Sequence, residues 1–214
     1  GLNAEERIIK KIEYSSHPEI NNNDIKNKVK YCLENNIDPL GRDYAKYKIV
    51  EVDELTEGAA CTALLAKKHI NVDKPLFFAN SDQFVEWDSN EFMYKMIEQK
   101  VDGGILTLKA TQPKWSFTKV KKQGKVEQVA EKKPISDLAT VGIYYWKHGA
   151  DFIRYAEQMI QKNIRTNNEF YTCPVYSYMI KNEMKIGTYR IPFVAMHGIG
   201  TPEDLKTYVN SFSK

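Results

Sequence analysis

The chain has 214 residues, 42% of them hydrophobic and 28% charged, an ordinary globular composition with enough length for one large or two small domains. Its 31 basic and 28 acidic groups leave a net charge of +3, too even to argue for binding nucleic acid. No apolar run approaches the about 20 residues that span a bilayer, which argues against membrane insertion. Cys32, Cys61 and Cys173 form no CxxC pair, so a disulfide framework and a structural zinc are both disfavoured and a reducing cytoplasm is the expected setting.

The polar cluster Asn21-Asn22-Asn23-Asp24 signals a helix start, and Ile25, Val29, Cys32 and Leu33 follow at helical spacing. That helix should stop near Asn35-Asn36, before Pro39. Tyr47 to Val52 reads as a strand. The small-residue turn Glu57-Gly58-Ala59-Ala60 then leads into a helix from about Ala60 to His69. Leu76 to Ala79 is an apolar strand that ends abruptly at Asn80-Ser81-Asp82. Residues 89–99 make a helix with Ser89 as N-cap and Phe92, Met96 and Ile97 on one face.

A glycine pair introduces a strand over 103–110. The alternating segment up to Pro134 reads as a hairpin turning at Gln123-Gly124. Residues 139–147 are a strand, and Ala150 to Lys162 a helix. Turn residues around Asn168 precede a helix from Val175 to Lys181, and residues 185–193 form a further strand. The last helix has Thr201 as N-cap, Pro202 at its first position, and Glu203 and Asp204 in its first turn. Strands alternating with helices predict βαβ units in an α/β fold with a mostly parallel sheet. Such sheets bind ligands beyond the carboxyl ends of their strands.

That rule directs attention to the residues after each strand. Asp82 is placed to hold Mg²⁺, a cation that takes oxygen ligands and bridges to phosphates; the alternative is an aspartate that starts a loop or caps a helix. Glu57, Gly58, Ala59 and Ala60 can let a base or phosphate approach the backbone at a helix N-terminus, or can serve tight strand-to-helix packing. Lys133, fixed in extended backbone before Pro134, can reach a sugar phosphate or simply face solvent with its many lysine neighbours. Glu169, a carboxylate among aromatics, can accept from sugar hydroxyls or belong to a plain loop. His197 reads as a satisfied polar residue, and Cys61 as a packing residue without a basic neighbour in sequence.

The order of these segments is more specific than any one of them. LTEGAACTALLA, PLFFANSDQF, GGILTLKATQPKWSF, VAEKKPIS, ATVGIYYW, NNEFYTCPVY and GIGTPEDL together resemble the nucleotidyltransferase (sugar-nucleotide pyrophosphorylase) family over about residues 47–210, with particular likeness to members associated with capsule and surface-polysaccharide synthesis. The resemblance implies a Rossmann-like three-layer α/β/α fold with a mixed, mostly parallel sheet, in one domain over residues 1–214. It implies a nucleoside triphosphate and a sugar phosphate or similar phosphate as substrates, pyrophosphate as product and Mg²⁺ as cofactor, with homo-oligomerisation left open. By position, Asp82 matches the metal-binding aspartate, and Gly58, Ala59 and Ala60 the turn near the nucleobase. Lys133 matches the lysine that holds the acceptor phosphate, and Gly142 and Glu169 the sugar-contacting glycine and glutamate.

Two departures stand out. Gly198 occupies the place of a second metal-binding aspartate, so the metal would lean on Asp82 with water and phosphates, or on another carboxylate such as Glu86 or Asp88. Residues 1–46 do not match the Gly-x-Gly-x-Arg loop and Lys-Pro with which the family begins. RIIKKIEY and the Ile25 helix resemble the region after that loop, so the chain is expected to start about one βα unit late. A non-catalytic relative that keeps the sugar-phosphate half-site stays open as an alternative. A glycosyltransferase on the same fold ranks below both, because Asp82-Gln83-Phe84 supplies no Asp-x-Asp motif.

Overall fold

The computed structural model of the protein describes residues 50–122 and 124–211. The chain divides into two compact units, Gly1–Leu55 and Thr56–Lys214. In the first, the described residues are 50–55, which carry no regular secondary structure. The strand expected over 47–52 therefore does not form at Val50–Val52. Its first three residues, RIIKKIEY and the Ile25 helix lie outside the described residues.

The second unit begins with α1 (Ala59–Leu64) and a 3₁₀ turn at Lys67–His69, where one continuous helix was expected. The helix tightens at its end, as Leu65 N–H donates to Thr62 O and Ala66 N–H to Ala63 O, three residues back. Then come β1 (Leu76–Ala79), β2 (Gln83–Val85) and α2 (Ser89–Glu98). The N-cap of α2 is Asp88 rather than Ser89: its side chain accepts from Asn90 N–H at 2.8 Å. An aspartate caps as well as a serine and adds a negative charge at the positive helix end.

β3 (Gly103–Lys109), the hairpin of β4 (Ser116–Val120) and β5 (Val126–Glu131), and β6 (Leu138–Trp146) follow. α3 (Gly149–Gln161), α4 (Val175–Lys181), β7 (Ile186–Arg190), β8 (Met196–Gly198) and α5 (Pro202–Ser211) complete the unit. Thr201 caps α5 as expected, accepting from Asp204 N–H at 3.1 Å.

The main sheet runs β5-β4-β6-β3-β7, with β1 also on β6, while β2 and β8 pair as a separate ribbon. The sheet is mixed. Among the described pairings β3 with β7 is parallel, and the others are antiparallel. Alternation along β6 builds both cores. Tyr144 and Trp146 pack under α3 and α4 with Phe152, Met159 and Tyr176, whereas Val141, Ile143 and Tyr145 pack against Phe92 and Met96 of α2. Helices thus cover both faces, which gives three α/β/α layers.

The site is positioned by a fork. β3 occupies one edge of β6. The other edge is shared: Ile143–Trp146 pair with β1, and Ala139 pairs with Phe117 of β4. Gly142 lies where the two partners part. Its φ is 72°, a left-handed backbone that favours glycine, and any side chain there would collide with the Asn80 amide.

Candidate functional site

A cleft of about 550 Å³ opens at the fork. Its floor is β6, with Thr140, Val141, Gly142 and Tyr144. One wall is the chain after β1: Asn80, Asp82 and Gln83. Asn80 N–H donates to Gly142 O at 3.2 Å, and Gln83 Nε2 to Val141 O at 2.5 Å, so this wall is fastened to the floor. The opposite wall holds Lys114, Trp115, Ser116, Glu131 and Lys132 from the hairpin. Tyr171, Thr172, Cys173 and Ala59 form one end, and Gly198, Gly200, Thr201 and Asp204 the other.

The β2–β8 ribbon brings Asp82 to the glycine-rich turn. Gln83 is opposite Gly198, and Ile199 N–H donates to Asp82 O at 3.0 Å. A Cβ on Gly200 would come 2.9 Å from Asp82 Oδ2, so the bare backbone there leaves the carboxylate its room. Asp204 is the nearest group to the open side of Gly198, with Oδ2 3.9 Å from where a Cβ would sit. A carboxylate with a second one on the same cleft fits a hard cation such as Mg²⁺. Among the described residues no cluster of three or more metal-ligating side chains assembles, so further ligands would be water and phosphate oxygens. Glu86 and Asp88 are engaged elsewhere. Glu86 Oε1 meets His197 Nε2 at 2.6 Å, which makes His197 the satisfied polar residue expected, and Asp88 caps α2.

Gly58 has φ 130°, and a Cβ on it would come 2.6 Å from the Phe170 backbone N and O. Phe170 N–H donates to Glu57 O at 2.8 Å, and Ala60 N–H to Phe170 O at 2.9 Å. The turn is therefore laced to the loop before α4. Glu57 points to Arg165, with 2.6 Å between Oε1 and Nη2, and Ala60 is fully buried; of the four turn residues, Ala59 lines the cleft.

Lys133 and Lys132 differ. Lys133 is exposed and does not line the cleft, whereas Lys132 does. Lys132 Nζ donates to Tyr171 Oη at 2.5 Å and sits 4.6 Å from that ring's centroid. The tyrosine hydrogen bond, as the largest influence, raises the ammonium pKa. Glu169 is exposed and does not line the cleft, although Tyr171, two residues on, does. Glu131 accepts from Ser116 Oγ, while burial pushes its carboxyl up. Tyr144 Oη and Thr140 Oγ1 lie 3.0 Å apart. Burial also pushes the Cys173 and Cys61 thiols up, so neither is primed as a nucleophile.

The sequence reading missed Lys114, Trp115, Ser116, Thr140 and Asp204 as cleft residues, since each has an ordinary local role. Lys132 was hidden by strand alternation, which would turn it away from Glu131.

The fold and cleft define an α/β protein with carboxylates and lysines arranged around a strand fork. A sequence model of the nucleotidyl transferase family matches residues 16–197, and the chain belongs to that family, as a nucleotidyltransferase enzyme. Its fold is similar to that of the nucleoside-diphosphate-sugar pyrophosphorylase from Vibrio cholerae RC9, at 22% identity and TM-score 0.70, covering 94% of this chain and 84% of that one. A UDP-glucose pyrophosphorylase complexed with UDP-glucose matches at 15% identity and TM-score 0.63, covering 75% of this chain and 63% of that one. A putative glucose-1-phosphate thymidylyltransferase from Bacillus anthracis in complex with a sucrose matches at 15% identity and TM-score 0.59, covering 76% and 63%. No curated protein sequence matches the chain. No helix among the described residues is long and apolar enough to cross a membrane.

Proposed function

We propose that the protein transfers a nucleoside monophosphate from a nucleoside triphosphate to a sugar phosphate, or a similar phosphate, with release of pyrophosphate. The observation that carries this reading is the cleft at the fork, with Asp82 on one wall and Lys132 on the opposite one. The named neighbours, which handle sugar nucleotides and sugar phosphates, support a sugar phosphate as acceptor. The resemblance over 47–210 supports a role in supplying precursors for surface polysaccharide, in the cytoplasm.

An acceptor phosphate oxygen attacks the α-phosphorus; the bond from that phosphorus to the oxygen bridging to the β-phosphorus breaks, and pyrophosphate leaves. Such a reaction asks the protein mainly for positioning and charge neutralisation. Asp82, with Asp204 on the same cleft, would hold Mg²⁺, which when bound neutralises phosphate charge. Lys132 takes the acceptor phosphate in place of Lys133, because its ammonium is the one at the cleft. Glu131 and the hydroxyls of Thr140 and Tyr144 orient the acceptor on the floor. The turn at Gly58, Ala59 and Ala60 stands near the base, and Gly142 lies on the floor beneath the sugar.

The test is pyrophosphate release by the full-length protein with Mg²⁺, the four common nucleoside triphosphates and a panel of sugar phosphates. Turnover that needs both one triphosphate and one acceptor is expected. No release with any pair would sink the proposal.

A further inference from the structure

We propose that Tyr171 is a positioning residue that presets the Lys132 ammonium for the acceptor phosphate; the inference rests on the function proposed above. Successive strand residues point to opposite faces, so a regular β5 would send Glu131 into the cleft and Lys132 out of it. Both line the cleft. The cause is the Lys132 backbone, whose φ is 53°, a left-handed conformation that residues with side chains seldom adopt. Its N–H is held by Trp115 O at 3.0 Å. Such strain persists where surroundings over-determine it, and it gathers at working sites.

Tyr171 comes from a distant part of the chain, the loop ahead of α4. That loop is closed on itself by Thr166 and Glu169, whose backbones exchange hydrogen bonds at 3.0 and 2.9 Å. Tyr171 Oη accepts from Lys132 Nζ at 2.5 Å. The closed loop thus places the phenol, and the phenol orients the ammonium. An ammonium has three N–H donors, so one bond to Tyr171 leaves two for phosphate oxygens. A free lysine must give up rotamer freedom when it binds, whereas one already held has less to lose.

The experiment compares the parent with Tyr171→Phe, which keeps the ring and removes the hydroxyl, and with Tyr171→Leu, which removes both. Full-length proteins are used, and thermal melts check folding; should Tyr171→Leu fail to fold, Tyr171→Phe carries the test. Kinetics are measured on the triphosphate and sugar phosphate that the parent turns over. The expected result is a rise of about tenfold in acceptor KM for Tyr171→Phe, the size of one lost hydrogen bond to a charged group, with the triphosphate KM unchanged. Acetylation of Lys132 by acetic anhydride, followed by peptide mass spectrometry, should also be faster in Tyr171→Phe than in the parent. An unchanged acceptor KM, an equal rise in both KM values or an equal acetylation rate overturns the inference while leaving the proposed function standing. A parent without turnover on any pair overturns both.

Discussion

Glu131 shows how single side chains tune the cleft. Burial is the largest influence on its carboxyl and raises the pKa above the ordinary 4.5; Ser116 and Lys132 pull it down, and Glu169 adds to the rise. A raised folded-state pKa means that the native chain holds this proton more tightly than the unfolded chain does. The group's contribution to stability is then fully present below the ordinary value and is lost as pH rises through the raised one. Glu131→Gln, neutral throughout, should gain stability relative to the parent as pH is raised from about 4 to about 8. Urea unfolding at both ends of that range checks the sign; a difference independent of pH would contradict it. Gly142 makes a second residue-scale point. Its place at the fork comes from strand register and a positive φ, neither of which is written in the motif ATVGIYYW.

At the scale of elements, the loop before α4 and the turn before α1 behave as one piece. Arg165 ties them: its guanidinium meets Glu57 at 2.6 Å, Asn168 O at 3.0 Å and Asn163 Oδ1 at 2.6 Å, and lies 4.0 Å from the Phe170 ring centroid. Arg165 is 23% exposed and Glu57 62%, so the ion pair alone is screened and worth little. The ring contact and the bond to the backbone add to it. Arg165→Ala should therefore cost about 1–2 kcal/mol in chemical unfolding, and a loss below about 0.3 kcal/mol would show the two segments to be independent. Most of the elements were legible in the sequence. β1, α4 and the capped α5 came from apolar runs and end signals that act locally. The β2–β8 ribbon was not legible, because strands of three residues are too short to show a period. The place of Lys132 on the cleft was not legible, because one left-handed residue cancels the alternation on which strand reading depends.

At the scale of the Thr56–Lys214 unit, a mixed sheet covered on both faces opens a cleft where two strands share one edge of a third. Asp82, Lys132 and Gly142 come from three separate segments and meet there. The order of the segments that hold them pointed to the family, while the roles proposed for them rest on the geometry of the fork. In the proposed reaction an acceptor phosphate attacks the α-phosphorus. That attack is tested most directly by ³¹P NMR of the product made by the full-length protein from an acceptor whose phosphate carries ¹⁸O. The label is expected to bridge the two phosphorus atoms of a nucleoside-diphosphate product while pyrophosphate stays unlabelled. Label in the released pyrophosphate, or pyrophosphate formed without any bridged product, would contradict it.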